Sequence, residues 1–183
     1  DFDSSGTTAI PHVARWTGSA WAKVGTGGPD NTSDLRLYAD GTSLLLLGEF
    51  SEVGSPPVPA QAIARWNGST WSSLGGFSGA TRLNAAARVG TRLYVGGWDV
   101  GSGSLHWYEG ATWTSSDRIT SDINSLAGLG SLLYIQGDFF DVDYGNVPAD
   151  HIASFDGTDF AALGGVSFDG VVETIGVDNG QLI

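Results

Sequence analysis

The chain contains no cysteine, which excludes a disulfide framework and any thiolate metal site. Basic residues are scarce as well. Eight Lys and Arg stand against 20 Asp and Glu in 183 residues, a formal net charge of −12. Such a surface repels phosphate backbones and anionic lipid headgroups, which argues against nucleic acid and acidic membranes as partners. No apolar run approaches the roughly 18 residues that a membrane-crossing helix needs, so direct insertion within this segment is not expected. The first residue is Asp1 rather than Met and no signal peptide is visible, which reads as a processed product, an excised domain or part of a longer chain.

Glycine, by contrast, is abundant at 28 residues, and hydrophobic residues make up 41%, enough to offset the chain entropy of folding. Gly, Ser, Thr and aromatics together fit short strands joined by tight turns, so the composition predicts an all-β fold.

One motif recurs four times: an aromatic, one residue, Gly, two residues, an aromatic. The copies are Trp16-Thr17-Gly18-Ser19-Ala20-Trp21, Trp66-Asn67-Gly68-Ser69-Thr70-Trp71, Tyr108-Glu109-Gly110-Ala111-Thr112-Trp113 and Phe155-Asp156-Gly157-Thr158-Asp159-Phe160. Aromatics are only 11% of the chain, yet all eight slots are filled, so chance is excluded. Each copy predicts a β-hairpin whose flanking rings face each other across the strands.

A second element lies between the hairpins: Leu44-Leu45-Leu46-Leu47-Gly48-Glu49-Phe50, Leu93-Tyr94-Val95-Gly96-Gly97-Trp98-Asp99 and Leu133-Tyr134-Ile135-Gln136-Gly137-Asp138-Phe139. Another strand and a short turn precede each. The unit is therefore four antiparallel strands, the blade of a β-propeller. Blades are expected at 33–75, 81–116 and 120–164, with a fourth split between 169–183 and 1–25. About three residues would be needed to join the ends of the split blade, so a four-bladed disc and a four-blade segment of a larger propeller both remain open.

This order of elements resembles the kelch repeat, most closely at Arg92-Leu93-Tyr94-Val95-Gly96-Gly97 with Trp107-Tyr108 and Trp113 behind it. Ala64-Arg65-Trp66-Asn67-Gly68-Ser69-Thr70-Trp71 is similar to repeats of secreted bacterial surface proteins and of fungal cell-surface polarity-marker glycoproteins. The resemblance implies a propeller in an extracellular or cell-surface setting and says little of chemistry, because propellers host many activities. Some kelch-like propellers are copper oxidases with a Cys–Tyr cross-link. Cysteine is absent here and the histidines are only His12, His106 and His151.

No catalytic constellation is legible, and the expectation is a non-catalytic structural or adhesive module. It would contact other proteins, or copies of itself, through the long loops after the second strands: Glu49–Gln61, Trp98–Ser104, Asp138–Asp150 and Asp1–Pro11. Rigid scaffolds carry recognition on such loops. Candidate contact residues are Phe140, Tyr144, Trp98, Asp99 and Glu49. A glycan-binding propeller using exposed aromatics and acids is the alternative, and a fragment of a propeller enzyme is a second one. Calcium is a candidate ligand of Asp138, Asp141 and Asp143, since oxygen donors at close spacing suit that ion. The bland reading is that these carboxylates cap turns. Asn31 and Asn67 begin N-glycosylation sequons.

Overall fold

A computed structural model describes residues 2–75, 81–99, 105–163, 168 and 172–183, omitting the side chains of Thr81 and Asp99. It is all-β and resolves into two compact units, Asp1–Gly79 and Ala80–Ile183.

In the first unit the strands are β1 (Ser4–Ser5), β2 (Thr8–Ala9), β3 (Ala14–Trp16), β4 (Trp21–Lys23), β5 (Arg36–Asp40), β6 (Ser43–Leu47), β7 (Glu52–Val53), β8 (Val58–Pro59), β9 (Ile63–Trp66) and β10 (Trp71–Ser73). β5, β6, β9 and β10 form one antiparallel sheet in chain order. β1–β2, β3–β4 and β7–β8 are two-stranded hairpins. Leu46 and Ala64 of the sheet pack with Val13, Val24, Phe50, Val53, Ala60 and Trp71 in a buried cluster.

In the second unit they are β11 (Thr81–Val89), β12 (Arg92–Asp99), β13 (Leu105–Tyr108), β14 (Trp113–Ser116), β15 (Ile123–Leu129), β16 (Leu132–Gly137), β17 (Asp141–Val142), β18 (Val147–Pro148), β19 (Ile152–Phe155), β20 (Phe160–Ala162), β21 (Val177–Asp178) and β22 (Gln181–Leu182). β11–β14 form a second four-stranded sheet and β15, β16, β19 and β20 a third. Their core runs from Ala85, Tyr94 and Leu105 through Ile123 and Ile135 to Phe155 and Phe160. The second strands bury consecutive residues, Leu45-Leu46-Leu47 on β6 and Leu93-Tyr94-Val95 on β12, so both of their faces are covered.

Three of the expected four-stranded units are thus single sheets. The residues expected to make the fourth form the separate hairpins β3–β4 and β21–β22. Asp1 and 169–171 of that expectation lie outside the described residues, as do 100–104 and 164 of the other expected blades.

All four aromatic pairs face each other across their hairpins. Ring centroids are 5.5 Å apart for Trp16–Trp21, 5.3 Å for Trp66–Trp71, 5.1 Å for Tyr108–Trp113 and 4.5 Å for Phe155–Phe160. The residue after the first ring closes the turn. Asn67 Oδ1 accepts from the N–H groups of Ser69 and Thr70, and Asp156 Oδ1 from those of Thr158 and Asp159. Thr17 uses its hydroxyl on Ala20. Asn67, singled out as a sequon, is therefore an exposed turn-former. So is Asn31, whose Oδ1 accepts from Ser33 N–H.

Candidate functional site

Two of the long segments after the second strands fold back as small hairpins, β7–β8 and β17–β18, and β1–β2 is a third of the kind. Glu49–Gln61 and Asp138–Asp150 share the wording Phe-x2-Val-x4-Val-Pro-Ala, at Phe50, Val53, Val58, Pro59, Ala60 and at Phe139, Val142, Val147, Pro148, Ala149. The Phe, first Val and Ala of both copies are buried. Ala60 N–H donates to Ser51 C=O and Ala149 N–H to Phe140 C=O, closing both in the same way. In each unit the segments read as long loops after the second strands are therefore fixed β-ribbons. The Trp98–Ser104 segment lies outside the described residues beyond Asp99.

Two of the ribbons, β7–β8 and β17–β18, are held by the segment that follows a preceding fourth strand. In the first unit Asp30 accepts from the N–H groups of Ser51 and Glu52 at 2.8 and 3.0 Å and from Ser51 Oγ at 2.5 Å. Gly54 N–H donates to Gly28 C=O, and Thr26 Oγ1 to Ser55 C=O. In the second unit Asp143 N–H donates to Arg118 C=O at 2.7 Å, and the Arg118 Nε donates to Asp143 Oδ1 at 2.6 Å. The same guanidinium donates to Thr158 C=O and lies over the Phe160 ring at 4.8 Å. One arginine thereby joins β14, the β17–β18 ribbon and the β19–β20 hairpin.

The candidate contact residues separate clearly in this frame. Phe140 is 71% exposed, Tyr144 65% and Trp98 46%. Tyr144 is held in place, its hydroxyl donating to Asp117 Oδ1 at 2.5 Å. It also sits at φ 57°, beside Asp143 at the same φ, a left-handed pair in the ribbon turn. Phe140 leans on His151, with ring centroids 4.9 Å apart. Glu49 is exposed and donates its N–H to Ser33 C=O. The side chain of Asp99 lies outside the described residues.

The three carboxylates considered for calcium are each differently engaged. Asp143 is paired with Arg118, Asp138 accepts from Asn124 Nδ2 at 3.0 Å, and Asp141 is exposed on β17. Among the described residues, no group of three or more His, Cys, Asp or Glu side chains converges on a metal-sized point.

His12 and His151 each stand four residues before the first ring of their hairpin, Trp16 and Phe155, and the position has a distinct backbone. Both adopt left-handed φ, 63° and 71°, and so does Ala62 at the matching place before Trp66, at 63°. That region suits glycine, with Asn, Asp and His the best of the rest. His151 Nδ1 lies 3.1 Å from Gly137 C=O and, facing a carbonyl, must donate. His12 Nδ1 lies 3.4 Å from Asp3 Oδ1.

Several carboxylates are displaced from their ordinary pKa. Burial raises that of Asp30, but the Ser51 hydroxyl and the Glu52 and Ser51 N–H groups outweigh it and leave it lowered. Asp143 is lowered by Arg118, and Asp156 by the N–H groups of Asp159 and Thr158. A folded pKa below the unfolded value stabilises the fold above about pH 3.9, and that gain disappears as the pH falls through the folded values. The melting temperature is therefore expected to hold steady at neutral pH and to drop on acidification below about pH 4. Asp122 has the opposite sign, raised by burial and then by Asp138. Its charge opposes folding at neutral pH, so Asp122→Asn is expected to raise the melting temperature at pH 7 and not at pH 3. Scanning calorimetry across that range checks both.

Compared with protein-family models and with curated protein sequences, the chain matches none.

Proposed function

We propose that the chain is a stretch of kelch-like β-propeller acting as a non-catalytic module, in an extracellular or cell-surface setting, that contacts proteins through the ribbon face. In favour of the propeller, three sheets share one strand order, one aromatic hairpin joining third and fourth strands, and one glycine at the end of the second strand. β21–β22 and β3–β4 would be the halves of a fourth blade. The setting draws on the likeness of the repeat to those of secreted surface proteins and on two sequon asparagines exposed in turns.

The observation that carries the contact surface is the pair Phe140 and Tyr144. They are the most exposed large side chains of a ribbon whose Phe139, Val142 and Ala149 are buried, and Asp117 holds the tyrosine ring out. Aromatic anchors on a fixed support lose little conformational entropy on binding, and such residues dominate interface energetics. Because neither ring belongs to the core, the double variant Phe140→Ser, Tyr144→Ser is expected to unfold at nearly the same urea concentration as the parent.

The partners in this reading are other proteins or copies of the chain itself. Sedimentation velocity at rising concentration is expected to show self-association that the double variant loses. A monomeric chain that binds an arrayed glycan through the same two rings would replace this reading with a lectin-like one.

A further inference from the structure

Beside the β17–β18 ribbon of the second unit lies a groove of about 210 Å³. Phe140, Pro148, Ile152, Leu163 and Phe168 give it apolar walls, and Asp150 is the one charged residue that lines it. The Asp150 carboxylate is partly buried, and among the described residues no hydrogen bond or ion pair reaches it. Its neighbours are engaged: Asp143 by Arg118, Asp138 by Asn124 and Asp117 by Tyr144. Arg118 is itself taken up by Asp143 and Thr158 C=O. A carboxylate half withdrawn from water and left without a counter-charge favours a cation that arrives from outside.

The exposure of Phe140 belongs to its place in the repeat. Ser51 and Asp3 hold the same place, their C=O groups accepting from Ala60 and Ile10 as that of Phe140 accepts from Ala149, and both are exposed. The position therefore faces solvent in all three ribbons, and only β17–β18 fills it with a ring. Gln61 and Pro11 stand where Asp150 stands, so the carboxylate is peculiar to this ribbon too. The first unit has a counterpart groove, lined by Ser51, Glu52, Pro59, Gln61, Ser73 and Gly75, with a charge and no ring.

An aliphatic stem that ends in a cation matches such walls. The stem lies along Pro148, Ile152 and Leu163, the charge reaches Asp150, and the exposed Phe140 ring offers its face to the same cation. A wholly apolar side chain would cover Asp150 without pairing it, and an acidic one would be repelled. Around the groove Asp117, Asp138 and Asp141 are exposed, so the field there attracts positive charge. A second copy brings 20 acids against eight Lys and Arg, which makes it the poorer source of that cation.

We propose that this groove takes a lysine or arginine side chain from a basic, extended segment of a different protein. The proposal rests on the ribbon-face reading and names the chemistry of the partner.

The test titrates the whole chain with a labelled heptapeptide alternating glycine and lysine, at chain concentrations where sedimentation shows only monomer. Fluorescence anisotropy is expected to show saturable binding that is lost with norleucine for lysine, which keeps the stem and drops the charge. Asp150→Asn is expected to weaken binding about tenfold and Phe140→Ser about fivefold. Asparagine tolerates the φ of 20° at which Asp150 sits, so the first variant keeps its backbone. Glu52→Gln removes the same charge from the counterpart groove and is expected to change little. The proposal is overturned if Glu52→Gln weakens binding as much as Asp150→Asn, because general attraction to an acidic chain then accounts for it. It is equally overturned if the norleucine peptide binds as tightly, if Phe140→Ser has no effect, or if no saturation is reached by about 1 mM. Absence of self-association in sedimentation counts against the association of copies and leaves the peptide result standing. The reverse outcome strikes the groove alone.

Discussion

Replacing Gly137 with alanine is expected to cost roughly 3 kcal/mol or more, read as a large fall in the urea midpoint. A Cβ built at Gly137 would stand 2.1 Å from the carbonyl oxygen of Asp122. Gly97, at the same repeat position, would meet Arg82 C=O at 1.9 Å. Both obstacles are backbone, so no rotamer change relieves them. The close approach follows from a bulge in the first strand of each sheet, where the register slips between Leu83 and Ala85 and between Ile123 and Ser125. The extra residues, Asn84 and Asn124, are put to use. Asn84 Nδ2 donates to Ile123 C=O and Asn124 Nδ2 to Asp138 Oδ1. Gly130→Ala is the control. Its φ is +62° with nothing within 4 Å of the added methyl, so only the left-handed backbone penalty of about 1 kcal/mol applies. If Gly137→Ala unfolds no more easily than Gly130→Ala, the glycine is a turn-independent accident of the repeat and the bulge does not require it.

What was legible in the sequence was set by local chemistry. The aromatic-bracketed glycine turn carries its own instructions: two rings that must pair, a glycine for the positive φ, and a capping side chain between them. The second strand announces itself by its apolar run and the glycine after it. The ribbons were hidden because Val-Pro and Asp-Tyr-Gly read as loop, although the same Phe, Val and Ala recur at the same spacing in two repeats. The Asp138, Asp141 and Asp143 cluster was legible as acidic and illegible as to use, because the group that takes Asp143 is Arg118, 25 residues earlier. A pairing of that reach is made by the docking of one sheet's exit segment on the next sheet's ribbon. The left-handed backbone that His12 and His151 share at matching repeat positions is geometry that a side-chain reading could not supply.

The four aromatic pairs look equivalent as sequence, yet their expected contributions differ because burial differs. Phe155 is 3% exposed and sits among Phe160, Trp107 and Tyr94, with centroids at 4.5, 5.9 and 6.3 Å. Tyr94 and Trp107 belong to the neighbouring sheet, so this ring is where two sheets of the second unit meet. Phe155→Ala is expected to destabilise that unit by about 3–5 kcal/mol, the range for emptying a buried aromatic site. Tyr108 opens the same motif one repeat earlier. It is only half-buried, pairs with Trp113 and bonds Gly110 C=O through its hydroxyl. Tyr108→Ala removes a cross-strand pair and one hydrogen bond without opening a cavity, and is expected to cost about 1–2 kcal/mol. Urea titrations of the two variants, followed by the same tryptophan signal, give the comparison directly. Equal losses would mean that the rings act through the hairpin alone. The larger loss at Phe155 would mean that the repeat's aromatic corner has become a sheet-to-sheet joint wherever a neighbouring sheet covers it.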